Sequence, residues 1–536
     1  MVRSPNRRPG YVLVAVLLVV VVLSLASYRY LAAMTSEAIV AQRTTEQAQV
    51  RAYAISGVYD AMAKISDPNT FLNTLAGNPT NAPTAFTNVA VGNGDESSYR
   101  GAGQFSLMYA AAAPDGSGIT VYNGAADEQG KLNINTLIKL DPTGEVLYAA
   151  LMLLPNMTED VADAIVDWVD ADDTPRTSGA ESDYYAGLTP PYQAKNGPLN
   201  SIDELLLVKG VTPQLLYGND RNRNGRLDPG EEDGNDLNQG WSAFLTVYGR
   251  EVNADSDGNA RVFLQDTDMS TNYEALTDAL GQEMADYVMA YRLFTTSSTA
   301  TTTLSATSSG SSSSGGMTIV ITTTSKTSSN KTTTATPDQV TDAVQNALAL
   351  GTAKEKNKIS SVLSLVNTQV TLPKASGAGP NTPDVVVACP LNDPAKMQQY
   401  LPLLLDKTTT TSGGEMVPRI NVNTAPQEVL MALPGVSPTD VQNALAIRSG
   451  LDMTSLEART GAWLVTQAQM SPTVFQTLEK YISGRSSVYR LQSLGYFANS
   501  GPVARVEAVI DTSPGAPRIL YFRDLTDLGG GFDPPR

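Results

Sequence analysis

Arg3, Arg7 and Arg8 precede Pro9-Gly10, and from Tyr11 to about Ala26 nearly every residue is Val, Leu or Ala. With Ser27 to Ala33 added, the apolar stretch reaches roughly 23 residues, enough to cross a bilayer with some tilt. The arginines hold the N-terminal end on the cytoplasmic side, so the rest of the chain is expected on the outer side. Three kinds of segment share this composition. One is a cleaved secretory signal, with Leu31-Ala32-Ala33 near its cleavage site. The second is a plain signal anchor. The third is an anchor that continues as a helix. The residues that follow favour the third. From Tyr11 there is no Gly or Pro before Gly57, and Met34 to about Ser66 is rich in the helix formers Ala, Gln and Glu. Ala38, Ala41, Thr45, Ala48, Ala52, Ile55, Tyr59 and Met62 recur at spacings of three and four. They form a narrow stripe suited to packing against other helices.

The composition narrows the chemistry. A chain of 536 residues is too long for one core and implies about two to four domains. It has no histidine, which removes His-based triads, HExxH zinc sites and a histidine general base. Its one cysteine, Cys389, excludes an internal disulfide and a cysteine-rich metal site. The formal charge of −17 argues against a nucleic-acid-binding surface, which needs clustered Lys and Arg, and suits recruitment of divalent cations.

Residues 67–126 read as the first part of a small β domain, with short strands at Gln104 to Tyr109 and Gly118 to Tyr122. An Asn-containing stretch, Gly130-Lys131-Leu132-Asn133-Ile134-Asn135-Thr136, then opens a helical region over 127–250. Helices are expected from Thr143 to Met152, from Thr158 to Val169 and, behind a capping box, from Ser201 to Val208. The stretch returns in degraded form at Gly258 to Asp266 and closely at Arg419 to Ala425, each time before a helical segment (Asn272 to Arg292, Pro426 to Arg448). This points to duplicated helical modules. The second copy and its helix occupy 251–294. A Ser/Thr-rich low-complexity insertion, expected to be solvated and without a core, fills 295–336. A second helical domain is expected over 337–487, with helical signals from Pro337 to Leu350 and from Lys354 to Val366. Residues 488–536 alternate apolar and polar as three antiparallel strands. The helical modules are therefore inserted in a β frame that opens before Asp127 and closes after Val488.

Two stretches have metal-ligand chemistry. Asp220-Arg221-Asn222-Arg223-Asn224-Gly225-Arg226-Leu227-Asp228-Pro229-Gly230-Glu231 satisfies the full spacing of a calcium loop. Asp220, Asn222 and Asn224 would offer side-chain oxygens and Arg226 its carbonyl. Asp228 would act directly or through water, and Glu231 would close the shell with two oxygens. The plain alternative is a polar surface loop. A second acidic group spans Asp167, Asp170, Asp172 and Asp173, followed by Glu181 and Asp183. Carboxylates this close repel unless a cation or solvent separates them. A third stretch, Leu430 to Ser437 with the helix to Arg448, looks like a helix-hairpin-helix, and Leu206 to Val211 is a weaker copy. In an acidic chain this motif reads as packing rather than phosphate binding.

Gly10 before an aromatic-led apolar run, with Ala15 where most pilin-like proteins carry Glu, resembles the type II secretion protein K family of minor pseudopilins. So do Gly130 to Thr136, Asp167 to Tyr185, Pro198 to Pro213, Arg419 to Gly435 and the strand Arg518 to Arg523. The resemblance implies an α+β fold. A long pilin-like helix with a small antiparallel sheet would be interrupted by inserted helical, SAM-like domains that contain helix-hairpin-helix motifs. Residues 1–10 would be a prepilin leader cut between Gly10 and Tyr11 by prepilin peptidase, and 11–66 the transmembrane and assembly helix. The resemblance also implies calcium at a second site among Asp170, Asp172, Asp173, Glu181 and Asp183. The implied role is structural rather than enzymatic: a subunit at the pseudopilus tip, in the inner membrane with its bulk in the periplasm. It would meet other minor pseudopilins and the major pseudopilin, prime assembly and aid export of folded secreted proteins. The long insertion, the extra Asn-containing copy and the calcium loop depart from the family pattern. The rival reading is a membrane-anchored DNA-binding protein of an uptake system that uses the helix-hairpin-helix.

Overall fold

The computed structural model describes residues 11–535 except 93–99, 113–118, 221, 225–227, 229–230, 232–239, 299–301, 307–318, 324–331, 351–353, 375–378, 380–381, 516 and 530. The leader, with Gly10 and its arginines, lies outside the described residues, as does Arg226. One unbroken helix, Tyr11–Ser66, carries the apolar run and its polar continuation. At 1.5 Å per residue it is about 84 Å long. It is the one helix among the described residues long and apolar enough to cross a membrane, and that stretch is covered by nothing else in the protein.

The second half of this helix lies on a mixed-length antiparallel sheet. The order is Val89–Ala90, Gly103–Ala112, Val488–Phe497, Ala504–Asp511, Arg518–Asp524. Ile119–Tyr122 extends the second strand, and Ala126–Asp127 pairs with the far end of the third. The last three strands match the expected closing meander. The sheet takes the helix face made by Glu46, Val50, Ala54, Gly57, Val58, Ala61 and Ile65. That is a different face from the stripe of small residues. Ala38, Ala41, Thr45, Ala48, Ala52 and Tyr59 all remain exposed, whereas Ile55 is half-buried and Met62, the last of the stripe, joins the core under the sheet. At 100° per residue the sheet-facing residues and these exposed ones point roughly 180° apart.

Helix and sheet meet through glycines. A Cβ on Gly495 would lie 2.0 Å from the Val50 carbonyl oxygen and 2.4 Å from the Ala54 nitrogen, and one on Gly57 would lie 2.2 Å from Ser493 Oγ. Beyond this contact, Glu46 is paired with Arg100 at 2.8 Å, which fastens the strand-leading loop to the helix. Phe86, Phe105, Leu107, Leu491, Val506 and Ala508 fill the core between them.

The inserted residues form a second, larger core that runs from Leu132 to Ile482. Each Asn-containing copy makes a two-residue parallel bridge with the end of its own module. Leu132–Asn133 pairs with Leu245–Thr246, Val262–Phe263 with Thr408–Thr409, and Ile420–Asn421 with Ile482–Ser483. The asparagines tie the module closed. Asn135 donates to and accepts from the Leu199 backbone, both at 2.8 Å. Asn423 donates to the Ala458 and Gly484 carbonyls and accepts from Trp463 Nε1.

Some local expectations change. The helix expected over Asn272 to Arg292 is two, Met269–Leu280 and Gln282–Leu293, because Gly281 takes a φ of 82° between them. Pro426 to Arg448 likewise divides, at Gly435 with φ 79°. Lys354 to Val366 holds only the turn Val362–Leu365. The Ser/Thr-rich stretch is rooted in a four-stranded sheet ordered Thr332–Thr334, Asp384–Ala388, Thr368–Thr371, Thr295–Ser298. Its ends are thus part of the second module.

The glycine contact has a direct test. Gly495→Ala should cost about 2–3 kcal/mol in thermal unfolding of the full chain in detergent. Tyr59→Ala, on the exposed face, should change stability by less than about 0.5 kcal/mol.

Candidate metal centre

The helix Glu159–Val169 places Asp163, Asp167 and the residue just past its end, Asp170, on one face, at spacings of four and three. The chain then folds back over that face. Arg176 pairs with Asp163 at 2.9 Å, and Ser178 donates its N–H to the same carboxylate. The N–H groups of Arg176 and Ala180 donate to Asp167 at 3.2 and 2.8 Å. This closeness depends on Gly179, where a Cβ would fall 1.8 Å from Asp167 Oδ2. The return delivers Glu181, so that carboxylate oxygens of Asp167, Asp170 and Glu181 lie within 4.8 Å of one another.

These three carboxylates are not neutralised by the protein. Both Glu181 oxygens and Asp170 Oδ1 are buried without a hydrogen-bond partner. Burial, reinforced by Asp170 and Asp167, pushes Glu181 up to about 8. Burial, with Asp172 and Asp167, pushes Asp170 up to about 6. Orphaned, mutually repelling oxygens in a shared space fit a hard divalent cation, which takes six to eight oxygen ligands. An orphaned amide oxygen beside the acidic turn was not legible in the sequence. Asn196, with φ 46°, donates from Nδ2 to the Asp172 carbonyl at 2.6 Å, and its Oδ1 is buried without a partner. No spacing rule would have found it.

The acids named from the sequence divide. Asp170 and Glu181 enter the cluster with Asp167. Asp172, Asp173 and Asp183 are exposed and stay out of it. Asp172 accepts from the Thr174 N–H, and Asp173 from the Ser182 N–H, so both serve the turn.

In the calcium-type loop the described residues Asp220, Asn222, Asn224, Asp228 and Glu231 hydrogen-bond with one another, and Arg226 lies outside the described residues. The N–H of Asn224 points at both Asp220 Oδ1 and Asn222 Oδ1, at 3.1 and 3.0 Å. Glu231 reaches back across the loop to the N–H groups of Asn222 and Asp228. Both Asn222 and Asn224 donate Nδ2 to Asp228 Oδ2, at 2.6 and 2.7 Å. In this arrangement amide donors satisfy the carboxylate that a cation would take, and the two amides must turn to present oxygen to a metal. The loop also spans the two cores. Gln492 and Arg505 of the sheet donate to the carbonyls of Arg223 and Asn222, and Asn224 donates to the Gly531 carbonyl.

The hairpin at Gly435 shows no phosphate-binding character. Arg448, its basic residue, donates inward to the Ala425 carbonyl, while Glu428 and Asp440 occupy the first turns of its two helices.

Fold and site together define an α+β protein in which a membrane-length helix carries a small sheet and a set of inserted helical modules with a buried acidic cluster. Residues 130–217 match the first domain of type II secretion system protein K. That module is similar to a protein K first domain, and through it the chain resembles the protein K family. The type II secretion system protein K of Pectobacterium carotovorum subsp. carotovorum is 37% identical over 99 residues, 18% of this chain and 30% of that one. That of Aeromonas hydrophila is 50% identical over 56 residues, 10% of this chain and 17% of that one. The matched segments thus span less than a third of either relative's length. The crystal structure of the GspK-GspI-GspJ complex from the enterotoxigenic Escherichia coli type 2 secretion system aligns over 90% of this chain and 98% of that one. Its identity is 12% and its TM-score 0.35. The family match contains the Asp167, Asp170 and Glu181 cluster and stops before Asp220.

The raised carboxyl of Glu181 makes a signed prediction for the calcium-free protein. A folded value near 8 against an ordinary 4.5 means its contribution is fully present below about 4.5 and lost as pH rises through about 8. Chelated protein should melt at a lower temperature at pH 8 than at pH 5. Glu181→Gln should flatten that difference and raise the melting temperature at pH 8.

Proposed function

We propose that the chain is a minor pseudopilin of a type II secretion system, placed at the tip of the pseudopilus. The observation that carries this reading is the coupling of one membrane-length helix to a large helical mass inserted between Asp127 and Val488. Such a mass obstructs the addition of further subunits and suits the end of a filament. Ala15 supports the same position, because a first subunit has no neighbour's amino terminus to pair with a glutamate. The exposed stripe from Ala38 to Tyr59 gives the helix a face for other pilin-like helices. Its partners in this reading are other minor pseudopilins and the major pseudopilin. Its location is the inner membrane, single-pass, with the bulk in the periplasm. Its work is structural: priming assembly and aiding export of folded proteins across the outer membrane.

Prepilin peptidase would cut after Gly10. Amino-terminal sequencing of the mature protein should then begin at Tyr11, and a start near Met34 would sink the reading. Loss of the chain should also reduce export of the system's folded cargo while leaving that cargo's synthesis unchanged.

Calcium is the cation proposed for both centres. Asp167, Asp170, Glu181 and Asn196 would hold one ion. Asp220, Asn222, Asn224, Asp228 and Glu231, with the Arg226 carbonyl, would hold the other. An ion there supplies charge compensation, and at the second site a brace between the helical modules and the sheet. At calcium a hundredfold above Kd the gain is about 2.7 kcal/mol per site. Thermal unfolding should therefore shift upward between chelator and millimolar calcium. Glu231→Gln and Glu181→Gln should each remove part of the shift, and an unchanged curve for the parent chain would refute calcium binding.

A further inference from the structure

The three parallel bridges share a further feature. A basic residue precedes each: Lys131 before Leu132–Asn133, Arg261 before Val262–Phe263 and Arg419 before Ile420–Asn421. Two of these cations have a glutamate. Lys131 lies 3.2 Å from Glu128, and Arg419 forks onto Glu251. Arg261 has no carboxylate partner among the described residues. Its Nη1 reaches Met416 Sδ at 3.4 Å, and its Nε is buried without an acceptor.

Arg261 lines a void of about 10 Å³ together with Arg419, Arg459 and Arg485. That is room for one water or one monatomic ion. The acids nearby are otherwise engaged. Glu251 is held by Arg419. Asp406 is fully buried, accepts from the N–H and Oγ of Ser256, and lies 3.6 Å from Arg485 and 3.7 Å from Lys407. Glu479 faces Ser361 and the Val362 N–H, and only its backbone carbonyl meets Arg419. Arg459 donates to the Ser256 carbonyl rather than to an acid. Four guanidinium groups thus share three carboxylates, and burial pushes Glu479 toward its neutral form. Burial, then repulsion from Arg485 and Arg419, lowers Arg261 to about 9. A guanidinium ordinarily stays charged far above that.

We propose that a monatomic anion of chloride size binds in this void among Arg261, Arg419, Arg459 and Arg485. It supplies to the second module the counter-charge that Glu128 and Glu251 supply to the other two. A water of the same size offers no such charge, and an oxyanion such as phosphate exceeds the space. Arg459 and Arg485 also line a cleft of about 1860 Å³ between the sheet and the modules, which gives the ion a route from solvent. The void is lined by Arg261 and Leu405 of the second module and by Arg459, Phe475 and Ile482 of the third, so occupancy joins those two.

The test is thermal unfolding of the full chain in detergent at fixed calcium and ionic strength, with sodium chloride exchanged for sodium gluconate. Chloride and bromide should raise the melting temperature saturably, by about 2–5 °C, and gluconate should not. Arg261→Met should abolish the halide dependence. Equal melting in both salts, or a dependence unaltered in Arg261→Met, would overturn the proposal. If Arg261→Met does not fold, crystals of the unaltered chain grown with bromide decide it. An anomalous peak among the four arginines supports the site, and a void with water alone overturns it.

Discussion

A fully buried glutamate holds the point at which the inserted modules leave the sheet. Glu128 accepts from Arg490 at 2.8 and 3.0 Å and from Thr246 at 2.8 Å, with Lys131 at 3.2 Å. Burial alone would push its carboxyl up, but Arg490 and Lys131 outweigh burial and hold it well below the usual range. Removing one partner of such a group costs roughly 3–5 kcal/mol. On either side, Asp127 accepts from Asn421 and Thr424, while Gln129 accepts from the N–H groups of Ser487 and Val488. Departure and return are therefore fastened to each other. The modules hang from the sheet as a closed loop, and the two cores keep separate interiors while joined by polar contacts here and at the 220–231 loop.

Much of this architecture was legible because it rests on local patterns. The apolar run, the absence of Gly and Pro before Gly57 and the alternating C-terminus fixed the helix and its sheet. The Asn-containing repeat marked where each module opens, but the division at 295–336 and 337–487 cuts across the second module, which closes at Thr408–Thr409. The partner of each repeat was not legible, because the closing strands Leu245–Thr246, Thr408–Thr409 and Ile482–Ser483 share little beyond a hydroxyl residue with one another. The side of the helix that meets the sheet was not legible for a related reason. The stripe from Ala38 to Tyr59 is the more regular one, whereas the sheet selects residues by closeness of approach, which depends on Gly57 and on Gly495 far away in sequence.

The two acidic sites show the same division. The 220–231 loop carries its oxygen-bearing side chains on closely spaced, alternate positions, so spacing alone brings them together. The other cluster is assembled by a return of the chain. Asp167 and Asp170 share a helix face, and Glu181 arrives from the far side of a turn that only Gly179 permits. Charge density marked the region but did not separate the buried acids from Asp172, Asp173 and Asp183, which hydrogen-bond within the turn or face solvent.

The Ser/Thr-rich stretch leaves its sheet at Ser298, on one edge, and returns at Thr332, on the opposite edge. Four strands at about 4.8 Å spacing separate these points by roughly 14 Å. About five extended residues would reach across. The natural span from 299 to 331 is several times longer than the connection demands, so its length is free to drift between related chains. Selection on that stretch acts on what it presents to the surroundings, and a foreign domain could be exchanged into it without opening the sheet that roots it.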